Sequence, residues 1–453
     1  MSRRATTMAL VLVSGMALAA CSDTEPAPPK PSPSPTSAAP DKPRQLSFGV
    51  FGQPAEIAAF QEVVDSFNAS SQTRQVKLVS WSDHREAADA IVDGKAPDVF
   101  MASRSDLSQV AQSETTRPVS LLLDERGVDF GDRFSRDALE AFSYDDDLQC
   151  MPYSASPMVM YFNDELVDFD KMERRELEVP AVNDEGVRSD RWSLAEFAAA
   201  AQFAVRRGRV DGVWIEPTLQ GLAPFIYSGG GQVFDDEDDP KSLTFSEDDT
   251  RSALDETLAI LRDPILTPSS GELRRSSALA RFKRGKLAMI AGFRDLVPEL
   301  RDAEGLSFDT ISMPVIDNAA TVGDIDGLCI SAETEHVNDA ADFLAYAVSD
   351  AAMETVTRTG YIMPANTEVA GSEAFLAPTL EPAHSTVFNS AVRGMVVPPL
   401  LDEAPELTEE VEPLLKDLVV GPGILDLEAA TEEIDEVSRT ILDPESVSET
   451  PAE

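Results

Sequence analysis

Three pairs of near neighbours join a flat apolar face to a charged planar group: Trp81 with Asp83, Phe293 with Arg294, and Trp214 with Glu216. A sugar ring needs both, because its C–H faces rest on apolar planes while its hydroxyls hydrogen-bond to carboxylates and guanidinium groups. Gln53, Ser103 and Tyr153 supply further polar groups at or beside apolar runs that read as strands. In open α/β sheets a ligand lies beyond the carboxyl ends of the strands. These nine residues are therefore the predicted ligand-binding set.

Other chemistries have less support. The three histidines, His84, His336 and His384, are far apart and form no zinc-ligand spacing. Asp235-Asp236-Glu237-Asp238-Asp239 is acidic enough to suggest calcium, but it lacks the glycine and the distal glutamate of an EF-hand loop and runs into Pro240. It reads as a solvated turn. No Gly-x-x-x-x-Gly-Lys-Ser/Thr motif occurs, so an ATPase would have to be another polypeptide. A glycoside hydrolase with paired carboxylates is the enzymatic alternative, because 81 acidic residues do not forbid such a pair. No catalytic residue, metal ligand or cofactor is assigned. Asp98, at the start of a strand, and Trp192, ahead of a capped helix, read as structural.

The elements that would hold the set alternate between two periods. Gln45 to Phe51 alternates like a strand, and Ile57, Phe60, Val63, Val64 and Phe67 form one face of a helix. Val76–Trp81, a short helix over Glu86–Val92 and a strand around Val99–Met101 continue the rhythm, which is that of an α/β fold with crossover helices. Farther on, Ser193 and Glu196 form a capping box with Trp192 stapled onto Phe197. Helices are predicted over Thr250–Arg262, Ser277–Arg284, Val337–Val348, from about Ala351 to Gly360, and across Leu407–Arg439, and a buried strand over Leu287–Ile290. Roughly 400 residues exceed what one core holds, so two lobes are expected.

The ends read differently. Arg3 and Arg4 precede an apolar run, Met8 to Ala20, too short to span a bilayer. Leu18-Ala19-Ala20-Cys21 resembles the bacterial lipobox, which predicts a signal peptide over 1–20 and a lipid on Cys21. Ser22 to Arg44 carries eight prolines and no apolar period. It predicts a disordered tether over 21–44, reaching up to roughly 70 Å from the membrane. Residues 444–453 read as a disordered tail. The net charge of −44 excludes nucleic acid as the main partner, which would need a basic face. Cys150 and Cys329 remain, each in a short apolar stretch, as a disulfide or as two buried thiols.

Taken in order, several segments resemble the extracytoplasmic solute-binding proteins of ABC importers, in the sugar-binding group that contains maltose-binding protein. They are Gly94-Lys95-Ala96-Pro97-Asp98-Val99, Met151-Pro152-Tyr153, Met160-Tyr161-Phe162-Asn163-Asp164-Glu165-Leu166 and Trp192 with its helix. Gly229-Gly230-Gly231, Phe282-Lys283-Arg284-Gly285-Lys286-Leu287-Ala288-Met289 and Tyr361-Ile362-Met363-Pro364 complete the series. The likeness runs from about Leu46 to Glu368 and departs at Phe293, where the family often has Trp. It implies an α/β, two-lobed periplasmic-binding-protein fold of type II, with a hinge and a ligand cleft between the lobes. It further implies lobe one over 45–153 plus 326–370, lobe two over 154–325 plus 371–443, and a Cys150–Cys329 disulfide near the crossover. The implied protein is a non-enzymatic monomer on the outer face of the cytoplasmic membrane, held there by its lipid. It would take a small-molecule solute, a sugar in the first instance, to the transmembrane subunits of an ABC permease. A polyamine, a phosphorylated polyol or a peptide is the alternative ligand on the same fold.

Overall fold

A computed structural model of the chain describes residues 43–448, apart from 132, 145, 146, 207, 237 and 238. The predicted signal peptide, Cys21, most of the tether and residues 449–453 lie outside the described residues. In chain order the principal strands are β1 (Arg44–Phe51), β2 (Arg74–Trp81), β3 (Val99–Ser103), β4 (Cys150–Pro157), β5 (Val159–Asn163), β6 (Asp211–Trp214), β7 (Leu287–Gly292), β8 (Phe308–Ile311) and β9 (Thr321–Ser331). They form two sheets, each with its own apolar core, and so two α/β lobes.

In the first sheet β1 pairs in parallel with β2 on one side and β3 on the other. Leu46, Phe48 and Val50 point to one face, where the helix Pro54–Ser70 lays down Phe60, Val63, Val64 and Phe67. Phe48 meets Phe60 edge-on at 5.9 Å and Phe343 at 4.9 Å, so the helix Val337–Ala347 covers the same face. β9 continues the sheet antiparallel to β3 and also pairs with β4. Asp98 fastens the edge of this lobe as a structural group: it accepts from the Ser47 N–H at 2.8 Å and the Ser47 hydroxyl at 2.7 Å, and from the Thr334 hydroxyl.

The second sheet has the order β8-β5-β7-β6. The capping box at Ser193 and Glu196 starts the helix Leu194–Ala204, and Trp192 packs edge-on against Phe197 at 5.5 Å. The Trp192 indole N–H donates to Ser312 O at 2.8 Å. Two acidic C-terminal helices, Ala404–Val420 and Leu427–Leu442, bury Leu407, Val411, Leu415, Leu418 and Ile434 against this second core. Most of their acids face outward, but Asp435 is buried and accepts from the Phe245 N–H at 2.7 Å and the Ser246 N–H at 2.9 Å. Pro444–Ser448 is a short helix, where the sequence reads as the start of a tail.

Both crossing strands stay in the first sheet for their whole length. β4 runs to Pro157 because its pairing with β9 extends to Gly323, and β5 opens the second sheet only at Val159. The divisions expected after Tyr153 and before Asp326 fall inside these strands. Cys150 and Cys329 sit opposite one another in the β4–β9 ladder and are joined by a disulfide, with Cα atoms 4.2 Å apart. Among the described residues no helix is long and apolar enough to cross a membrane.

Candidate ligand-binding cleft

A cavity of about 480 Å³ lies where the strand ends of the two sheets face each other. Two larger hollows, of about 720 and 900 Å³, lie around Arg262 and around Arg104 with Pro398. Neither gathers strand ends from both sheets, so the smaller cavity is the candidate site.

From the first sheet, β1 ends at Phe51 and turns through Gly52 into the helix beginning at Pro54. Gly52 has φ +138°, and a side chain there would collide with the Glu56 carboxylate. Glycine thus lets Glu56 fold back over its own helix start. Gln53 lines the cavity at the N-cap and donates its backbone N–H to Glu56 at 3.4 Å. Beyond β2 come Asp83, which caps the next helix through the Glu86 N–H, and His84, whose Nδ1 lies 2.7 Å from Asp106. The crossing strands add Ser154 and Ser156 from β4, and Asp324 and Asp326 from β9. Asp326 accepts the Ser154 hydroxyl at 2.8 Å.

The second lobe closes the other side. The segment after β7 contributes Phe293, Asp295, Leu296, Glu299 and Asp302, and Lys283 pairs with Glu299 at 2.8 Å. Tyr361 and Ile362 complete the wall. Seven carboxylates therefore face one lysine and one histidine.

These acids disturb one another. Burial pushes Glu56 up to about 7, helped by Asp295 and Asp324 and opposed by the Gln53 N–H. Burial likewise lifts Asp295 to about 6, with Asp324 adding to it. Asp324 is exposed at the cleft, yet desolvation raises it and His84 opposes the rise. Asp326 is pushed well above the carboxylate range by burial and then by Asp324. Asp83 goes the other way, lowered by the Glu86 N–H, and His84 is raised by its bond to Asp106.

Of the nine predicted ligand-binding residues, Gln53, Asp83 and Phe293 line the cleft, and six do not. Trp81 reaches back over Gly49 beside Pro97, where a β-carbon on Gly49 would meet the indole at 2.5 Å. It covers the sheet because only a glycine opposite leaves room for the ring. Ser103 is buried and caps a helical turn, accepting from the Ser105 N–H at 3.3 Å. Tyr153 lies beneath the cleft floor, 5.5 Å from the Phe60 ring; among the described residues its hydroxyl has no partner. Trp214 is buried with Phe282, Leu287 and Ile290, and its indole N–H donates to Glu216. Glu216 faces solvent outside the cavity.

Arg294 departs most from the expectation. It is 1 % exposed, and its guanidinium donates to Gly360 O at 3.2 Å, Phe375 O at 3.1 Å and Ser385 Oγ at 3.4 Å. It also sits over Phe375 at 4.5 Å and Phe388 at 5.2 Å. Burial pulls it down to about 10. The residue is a buried clamp that ties the segment after β7 to Gly360, Phe375 and Ser385, because successive side chains leave the chain in different directions and only Phe293 turns to the cleft.

Sequence reasoning missed Glu56, Ser154, Ser156, Asp295, Asp324 and Asp326. One signal was present: Asp324-Ile325-Asp326 alternates acid and apolar inside an otherwise apolar run, which puts both carboxylates on one face of a strand.

The profile of a family described as bacterial extracellular solute-binding proteins matches residues 62–381, well over half of the chain. A search of curated proteins finds no match. Solved structures share the fold. The ABC substrate-binding protein Lmo0181 of Listeria monocytogenes, in complex with cycloalternan, superposes with a TM-score of 0.73 at 18% identity, covering 87% of this chain and 98% of its own. The sugar-binding protein MalE of Xanthomonas citri gives 0.72 at 16%, covering 90% and 100%. UgpB of Mycobacterium tuberculosis, in complex with glycerophosphocholine, gives 0.70 at 18%, covering 89% and 99%.

Proposed function

The chain belongs to the bacterial extracellular solute-binding proteins, and from that membership we propose that it captures a carbohydrate between its lobes and passes it to an ABC permease. The observation that carries this reading is the cleft itself. Strand ends of both lobes meet around it, with the rings of Phe51, Phe293 and Tyr361 for C–H faces and the hydroxyls of Ser154 and Ser156 among carboxylates for sugar hydroxyls. Neighbours in complex with cycloalternan and described as sugar-binding support a saccharide. The same seven carboxylates weigh against a phosphorylated solute, which they would repel.

The protein acts as a carrier, anchored through a lipid on Cys21 to the outer face of the cytoplasmic membrane. Its proline-rich segment supplies the reach to a permease, and it works as a monomer. A thermal-shift and calorimetric panel of oligosaccharides tests the reading, since a ligand bound only by the folded state raises Tm. A saccharide bound stoichiometrically and recovered intact is the expected result. Hydrolysed product would identify a glycosidase using the paired acids of the cleft, and mass spectrometry showing an unmodified Cys21 would remove the anchor.

A further inference from the structure

The cleft gathers more carboxyl groups than neutral hydroxyls require. Glu56 is 8 % exposed and lines the cavity, yet its one hydrogen bond is the long 3.4 Å contact from the Gln53 N–H. Among the described residues its second oxygen has no hydrogen-bond partner and no cation pairs with it. The Asp326 carboxylate accepts from the Ser154 hydroxyl, whose oxygen accepts in turn from the Asp326 N–H at 3.3 Å, and among the described residues no cation pairs with it. The two basic groups in the wall are already engaged, Lys283 by Glu299 and His84 by Asp106. Crowded and unpaired, these carboxyl groups are pushed toward their protonated forms, and a cation seated among them would let them ionise. Aromatic rings at Phe293 and Tyr361 stand beside these acids, and a ring face attracts a cation.

We propose that the natural ligand is a saccharide carrying a protonated amine, with the ammonium held among Glu56, Asp295, Asp324 and Asp326. This rests on the carbohydrate reading and narrows it. The ammonium supplies the missing counter-charge to both lobes at once, so it bonds best when they close on it. Hydroxyls of the same ligand meet Ser154 and Ser156.

The test titrates the full-length protein calorimetrically with a glucosamine trimer, its N-acetylated counterpart, maltotriose and spermidine, at a pH where the amines are protonated. The glucosamine trimer is expected to bind at least about tenfold more tightly than the other two saccharides, and more weakly as salt rises. Glu56→Gln and Asp326→Asn should each lower its affinity about tenfold. Asp324→Asn, at a side chain open to water, gives the same reading should either buried variant fail to fold. Equal or tighter binding of maltotriose or the N-acetylated trimer overturns the amine and leaves the carbohydrate reading standing. Binding of spermidine with no saccharide bound overturns both. No binding of the glucosamine trimer, or unchanged affinity in Asp324→Asn, overturns the proposal.

Discussion

Glu56 couples acidity to stability. Its pKa rises from 4.5 to about 7 on folding, so the fold is favoured most below the lower value and loses that contribution as pH climbs through 7. The gap corresponds to at most about 3 kcal/mol. Glu56→Gln keeps a capping side chain at the third helical position and removes the charge. Thermal melts should show it stabilised relative to wild type at about pH 8 and indistinguishable near pH 4; equal melting temperatures at both would show that the group is ionised without cost. Arg294 gives a contrasting residue-scale expectation. Arg294→Ala strips three buried oxygens of their donor and opens a void between Phe375 and Phe388, so it should cost about 3 kcal/mol or more in denaturant unfolding. Any weakening of ligand binding should then track the loss of fold.

At the scale of elements, the strand β2 shows how a side chain at a strand end need not serve a site. Trp81 pairs with Phe51 in register, but its ring lies back across Gly49. Trp81→Ala should lose about 2 kcal/mol of stability and leave affinity unchanged, while Phe293→Ala should weaken binding by about tenfold; the opposite pattern in titration would restore Trp81 to the cleft. The helices and strands themselves were legible, because Ile57 to Phe67 and Leu46 to Val50 repeat at their own periods and Ser193 with Glu196 announces a helix start. The cleft was legible only as a location. Which of two neighbours turns inward, Phe293 or Arg294, is decided by what stands opposite in the folded lobe. Glu56 was hidden because a capping glutamate and a ligand-facing one look alike in sequence, and only Gly52 beside it leaves the room that brings it round.

For the whole molecule, charge and connectivity set the behaviour. A surface this acidic draws cationic solutes toward the cleft, so the association rate of an amine-bearing ligand should fall steeply with added salt. The Cys150–Cys329 bond closes a loop between residues 179 positions apart. Replacing both cysteines by serine should cost about 2–4 kcal/mol in unfolding, and a thiol titration of the unfolded, unreduced wild type should find neither of them free. The bond also brackets β5, β6, β7 and β8, every strand of the second sheet. In covalent terms, the second sheet is an excursion that leaves lobe one and returns to it beside its point of departure, while the two C-terminal helices of lobe two lie outside the loop. A protease that cuts once in the exposed turn at Asn183–Val187 would therefore leave two fragments travelling as a single species on a denaturing gel, and reductant alone would part them.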